Sequence, residues 1–131
     1  MTSGKKALIE YRLGQAQEAL EAAQILLDQQ KYRSSVSRAY YAMFYSVLAL
    51  LASGDLQAAK HTGVISIFDK EFVKTEIFQK EFSLWLHEAF DLRQRADYRE
   101  MFQVSADITQ EVLGHAQTFA AIIKKRLSVS I

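Results

Sequence analysis

Apolar positions recur along this chain at intervals of three and four, most densely in Tyr32 to Leu51, YRSSVSRAYYAMFYSVLALL. Val36, Ala39, Tyr40, Met43, Val47, Leu50 and Leu51 fall on one helical face. Tyr32, Phe44 and Leu48 carry the apolar surface so far round that this helix is expected at the centre of the fold. One narrow polar line breaks it. Ser34, Ser37, Arg38, Tyr41 and Tyr45 lie three or four apart and so project along a single strip. A polar strip on a buried helix requires partners.

The same period predicts helices on either side. Lys5 to Gln29 is amphipathic, with Leu8, Tyr11, Ala16, Ala19, Ala23 and Leu26 on the apolar face and Glu10, Gln17, Glu18, Glu21 and Gln24 opposite. Gly14 costs such a helix roughly 1 kcal/mol relative to alanine, a cost that a close helix crossing would explain. Only Asp28 to Lys31 remains for a turn, so the first two helices are expected as an antiparallel hairpin. The second ends near Ser53-Gly54, where glycine can take the left-handed cap conformation. After a loop from Asp55 to Lys60, KHTGVISIFDKEFVK presents Val64, Ile67, Phe68 and Phe72 as a short apolar face, with Thr62 as N-cap. Thr75 is expected to cap a fourth helix whose core face is Phe78, Phe82, Trp85, Ala89 and Leu92, with Leu86, Phe90, Arg93 and Asp97 in a line beside it. Ser105 is expected to cap a last helix carried by Ile108, Val112, His115, Phe119, Ile122 and Arg126, with Leu113, Ala116, Ile123 and Leu127 alongside. The outcome is an all-α, up-and-down helical bundle of four long helices plus a short helix, one domain over residues 1–131.

Composition agrees with that reading. The chain has no proline and five glycines in 131 residues, which removes the turn punctuation of all-β folds. Half the residues are hydrophobic, enough for a core without disulfides or metal. A net charge of +1 announces no polybasic surface, so any nucleic-acid contact is local. Without cysteine there is no disulfide, thiolate metal site or cysteine nucleophile. MTSGKKALIEYR lacks the apolar core of a signal peptide, and Ala39 to Ala52 is too short and tyrosine-rich to span a bilayer. A cytoplasmic protein with no membrane partner is expected.

Several residues carry candidate chemistry. Lys60 and His61 stand just before a predicted helix N-terminus, where free N–H groups favour an anion; a solvated loop is the alternative. Arg93, Arg95, Asp97 and Tyr98 cluster at the end of the fourth helix, either as a phosphate-stabilising group or as an ordinary i to i+4 ion pair. Arg38 interrupts the most buried helix and must find a carboxylate, a carbonyl or a cleft; Asp97 is the expected partner. Tyr40, Tyr41 and Tyr45 offer rings for stacking bases, or serve as core residues with one satisfied hydroxyl each. His115 lies on an apolar face as a structural histidine, and His87 falls between faces. Lys124, Lys125 and Arg126 complement the negative end of the last helix. The three histidines have no ligand spacing, so neither a metal site nor a cofactor is expected.

RSSVSRAYYAMFYSVLALL, then KHTGVISIFDKEFVKT, then LRQRADYREMF, resemble in order and spacing the HEPN domain, specifically the small stand-alone bacterial and archaeal HEPN proteins. The likeness runs from about Ala7 to Leu127. It implies a compact helical bundle, commonly a homodimer, often paired with a small nucleotidyltransferase as toxin and antitoxin. It also implies kinship with metal-independent ribonucleases whose signature is an arginine and a later histidine separated by four to six residues. Arg93 or Arg95 matches its beginning, but the histidine is missing. Tyr98, Arg99 and Glu100 fill the window after Arg93, and Glu100, Met101 and Phe102 that after Arg95. Ala96-Asp97-Tyr98 stands instead, and unshifted tyrosine is a poor base at neutral pH.

Two classes of function follow. One is a dimeric binding module that pairs with a nucleotidyltransferase and takes nucleotide or RNA near Arg38, Tyr41, Lys60, Asp97 and Tyr98. The other is a metal-independent ribonuclease toxin in which His61, folded over the end of the fourth helix, supplies the imidazole to an Arg93 and Arg95 site.

Overall fold

The structure, a computed structural model, describes residues 2–98 and 102–130. These form five α-helices and no strand: α1, Ser3–Asp28; α2, Tyr32–Ser53; α3, His61–Phe68, running on into a π-helical turn at Asp69–Val73; α4, Lys80–Tyr98; and α5, Ala106–Ser130. The architecture is the expected all-α bundle of four long helices and a short one.

Local chemistry sets the ends. Thr2 Oγ1 accepts the Lys5 N–H at the head of α1, and Ser105 Oγ accepts the Ile108 N–H at the head of α5, as predicted, each at 3.1 Å. Helices α1 and α2 both close through a non-glycine residue in the left-handed region, Gln30 at φ 60° and Asp55 at φ 57°. Lys31 N–H then reaches Leu26 O and Leu56 N–H reaches Leu51 O, both at 2.8 Å. Gly54 itself has φ −99°, so the left-handed position lies one residue beyond the expected glycine.

Two other caps also differ from expectation. Lys60, extended, is the N-cap of α3 and makes no side-chain cap bond, while Thr62 sits inside the first turn. Burial of Val64, Ile65 and Phe68 fixes the phase of this helix, and its first bond, Val64 N–H to Lys60 O at 3.0 Å, follows. Thr75 Oγ1 donates to Glu71 O at 2.7 Å, closing the turn behind it instead of opening α4.

Among the described residues α2 is the helix that touches all four others. Its neighbour α1 contributes Ile9 and the small Ala16, Ala19 and Ala23, and Ser35 Oγ of α2 donates to Ala23 O at 2.8 Å across that interface. Leu8 and Tyr11 are 44% and 61% exposed, so the buried face of α1 is turned from the predicted one towards Ile9. Alanines permit the closer approach, and burying that line removes backbone surface as well. Gly14 takes no part in a close crossing, since an added Cβ there meets nothing within 4 Å. On α5 the expected line is buried only in part: Val112 and Phe119 are buried, Ile108 and Ile122 are exposed, and the line expected alongside, Leu113, Ala116, Ile123 and Leu127, is buried throughout. Phe119 packs between Phe68 and Phe82, with ring centroids 5.5 and 5.0 Å away. No described helix is long and apolar enough to cross a membrane.

Candidate functional site

The polar strip of α2 meets the first residue of α3 and the last turns of α4. Arg93 is the hub. Its Nη2 donates to the Tyr41 hydroxyl at 3.0 Å, and its Nε lies 3.0 Å from Asp97 Oδ2, a contact of charges without the alignment of a hydrogen bond. The guanidinium stands 5.3 and 5.9 Å from the ring centroids of Tyr41 and Tyr40. Arg38, one turn before Tyr41, places its guanidinium 4.8 Å from the same Tyr41 ring. Two cations therefore share one tyrosine, whose ring quadrupole favours both.

His61 enters from the head of α3. Its ring stacks on Phe44 at 4.2 Å with 10° between planes, and its Nδ1 is 2.8 Å from the hydroxyl of the fully buried Tyr40. Burial first, and then the positive charge of Arg93, holds the imidazole below its ordinary pKa. His61 is consequently neutral at pH 7. Burial pushes the Tyr40 hydroxyl the other way, upward; Arg93 opposes that shift and Tyr41 adds to it. Tyr40 is a permanent O–H group at neutral pH.

Five of the sequence-predicted residues, Arg38, Tyr41, His61, Arg93 and Asp97, are thus gathered around α2. Others stand apart. Lys60 is exposed beside His61, and Tyr98 is 75% exposed at the end of α4. Arg95 pairs with Asp91 at 2.7 Å on the outer side of α4 and does not join Arg93. Arg99, Glu100 and Met101 of the signature window lie outside the described residues.

No ion pair joins Arg38 to Asp97. Asp97 is taken by Arg93, its i to i+4 neighbour on the same helix, where the backbone already sets the spacing, and Arg38 turns to the Tyr41 face. Arg38 and Asp97 nonetheless line one open groove of about 600 Å³ with Ser34 and Ser37. Arg33, at its edge, donates to Ala96 O and ties α2 to α4.

Sequence reading missed Tyr40 and Phe44 as the residues that hold His61. The signal was a tyrosine on the core face whose hydroxyl needed a partner, with an aromatic one turn later. Elsewhere, His87 Nε2 contacts Asp69 Oδ2 at 2.6 Å, and His115 stacks on Trp85 at 4.5 Å. No group of three or more potential metal ligands occurs among the described residues. A wider groove of about 1100 Å³, between the π-helical turn and the start of α4, carries Lys70, Lys74 and Lys80 against Asp69, Glu76 and Glu81. Its charges cancel, and it favours neither sign of ligand.

Comparison with known proteins gives a coherent result. A family model described as the HEPN domain matches residues 9–127. A UPF0332 protein of Thermotoga maritima is 36% identical over 121 residues, covering 92% of both chains. Two proteins of Methanocaldococcus jannaschii, each named "Putative toxin", are 35% and 36% identical over 122 residues; the matches cover 93% of this chain and 83% and 87% of theirs.

Proposed function

This chain belongs to the HEPN domain family, and from that membership we propose that it is a toxin-type HEPN module that dimerises, pairs with a nucleotidyltransferase, and binds nucleotide or RNA beside α2. The observation that carries the binding reading is the placement of Arg38 and Arg93 on the same Tyr41 ring, 4.8 and 5.3 Å from its centroid. Two guanidinium groups at that separation from a common ring supply donors for a phosphate, and the half-buried tyrosines supply apolar faces for a base. The names of the archaeal relatives support the toxin-like role. Lys60, next to His61 in the chain, and Tyr98, next to Asp97, are both exposed and so open to a ligand.

The test is titration of a fluorescently labelled single-stranded RNA, and of free nucleotides, at low and moderate salt. Arg93→Ala and Arg38→Ala are each expected to weaken binding by about tenfold and to flatten the salt dependence. Arg95→Ala, whose partner is Asp91, is expected to change little. Wild-type affinity in Arg93→Ala defeats the assignment.

A metal-independent ribonuclease is the second reading, favoured by the meeting of a neutral imidazole, His61, with Arg93. There His61 would take a proton from a ribose 2′-hydroxyl while Arg93 neutralised the phosphate. Arg95 has no place in that site within one chain. Cleavage in the presence of a chelator, abolished by His61→Ala and by Arg93→Ala, would establish it.

A further inference from the structure

The ribonuclease reading needs a ring nitrogen of His61 free to take a proton, and Tyr40 bears on that point. The Tyr40 side chain is fully buried, so its hydroxyl has no access to solvent, and His61 Nδ1 at 2.8 Å is its hydrogen-bond partner among the described residues. A phenol can either give its proton to Nδ1 or accept one from Nδ1–H. Were it to accept, its own O–H would be buried without an acceptor among the described residues, a state that costs more than the bond returns. Donation satisfies both groups at once.

We infer that Tyr40 is a positioning residue which, by donating to Nδ1, holds His61 as the neutral Nε2–H tautomer, so that His61 presents a hydrogen-bond donor to a ligand phosphate oxygen and is not a general base. This inference rests on the phosphate-binding reading above and favours it over cleavage. Phe44 keeps the ring in the plane that this bond needs. Arg93 from α4 and Lys60 beside it on the chain are the cations near His61, and Tyr40 and Tyr41 from α2 are its other titratable neighbours. Arg93 favours the uncharged ring over imidazolium. A neutral donor beside Arg93 suits a phosphate oxygen, as an oxyanion accepts readily from N–H.

The experiment needs no mutation to begin. Long-range nitrogen–proton correlation spectra of the uniformly nitrogen-15-labelled wild-type protein at pH 7 report the tautomer directly. The expected result is a pyrrole-like Nε2 and a pyridine-like Nδ1 for His61, with the signals drifting to the averaged pattern of a free imidazole in the near-isosteric Tyr40→Phe variant. A short oligouridylate then serves as the phosphate probe, with circular dichroism checking the fold of each variant. His61→Ala is expected to bind it about tenfold more weakly and Tyr40→Phe about fivefold more weakly. A pyridine-like Nε2 overturns the inference and leaves the binding reading standing. The same holds if the tautomer is as expected but His61→Ala binds as wild type. Failure of the wild type to bind the oligouridylate removes both.

Discussion

Replacing Phe44 by alanine separates the two tasks this ring performs. It is 9% exposed, packs against Tyr40 and Tyr41, and lies flat on His61. A buried aromatic removes about 150–250 Å² from water, worth about 4–6 kcal/mol at about 25 cal/mol per Å². Alanine keeps Cβ, and a site at the edge of the core can relax, which puts Phe44→Ala near the low end of the usual range for such truncations, about 3 kcal/mol. Phe44→Leu retains most of the volume and should cost only about 1 kcal/mol. In urea at pH 7, with a slope of about 1.5 kcal/mol per M, the alanine variant should unfold at a concentration about 2 M lower. Because burial is the main cause of the low His61 pKa, both variants should also move the imidazole titration back towards the ordinary value, followed by NMR. Phe119→Ala is the control. Fully buried between Phe68 and Phe82, it should cost about 4–5 kcal/mol while leaving His61 unmoved. A cost below about 1 kcal/mol for Phe44→Ala, or a His61 titration that ignores position 44, would refute this account of how core and site are joined.

The depressed His61 pKa also makes stability depend on pH. Below about 6.5, the ordinary imidazole value, the unfolded chain takes up a proton that the folded chain refuses, so acidification through that range should destabilise the wild type relative to His61→Phe in thermal melts; parallel curves would exclude it. Gly14→Ala should stabilise α1 by about 0.5–1 kcal/mol in urea unfolding, because the added methyl meets open space; a loss would reveal a contact there. Gln30→Gly should gain about 0.5–1 kcal/mol, since φ is 60° at that residue, and a destabilised variant would contradict the turn geometry. Ser35→Ala, which removes the buried bond to Ala23 O, should cost about 1 kcal/mol by the same assay; no change would mean the bond contributes nothing.

The helices were legible because their signal is local: a period of 3.6 survives whatever packs against it, and the Ser105 hydroxyl caps α5 by accepting the N–H of Ile108, three residues on. What was not legible depended on rotation and on choice among near neighbours. Periodicity finds the apolar lines of α1 and α5 but does not say that Leu8, Tyr11, Ile108 and Ile122 are exposed while Ile9, Leu113, Ala116 and Ile123 are buried. The left-handed closures at Gln30 and Asp55 were hidden because neither residue is the glycine one looks for. In the site, Arg38, Tyr41, His61, Arg93 and Asp97 could all be named from motif and spacing. Of their pairings, only the i to i+4 contact of Arg93 with Asp97 was among the alternatives that spacing offered. Asp97 had two arginines to choose from, and the choice fell to the one whose distance the α-helix had already set. Tyr40 read as a core tyrosine with one satisfied hydroxyl, which it is, but nothing in the sequence said that the partner was His61.

Since α2 both fills the centre of the bundle and lends Tyr40, Tyr41 and Phe44 to the candidate site, selection for a robust fold and selection for the proposed binding would act on the same few side chains. Positions 40, 44 and 61 should therefore drift together in descendants of this protein or not at all. A laboratory search for hardier variants that redesigns α2 freely will tend to trade away the histidine's setting, while changes confined to the solvent side of α1 leave evolution and the engineer a free hand.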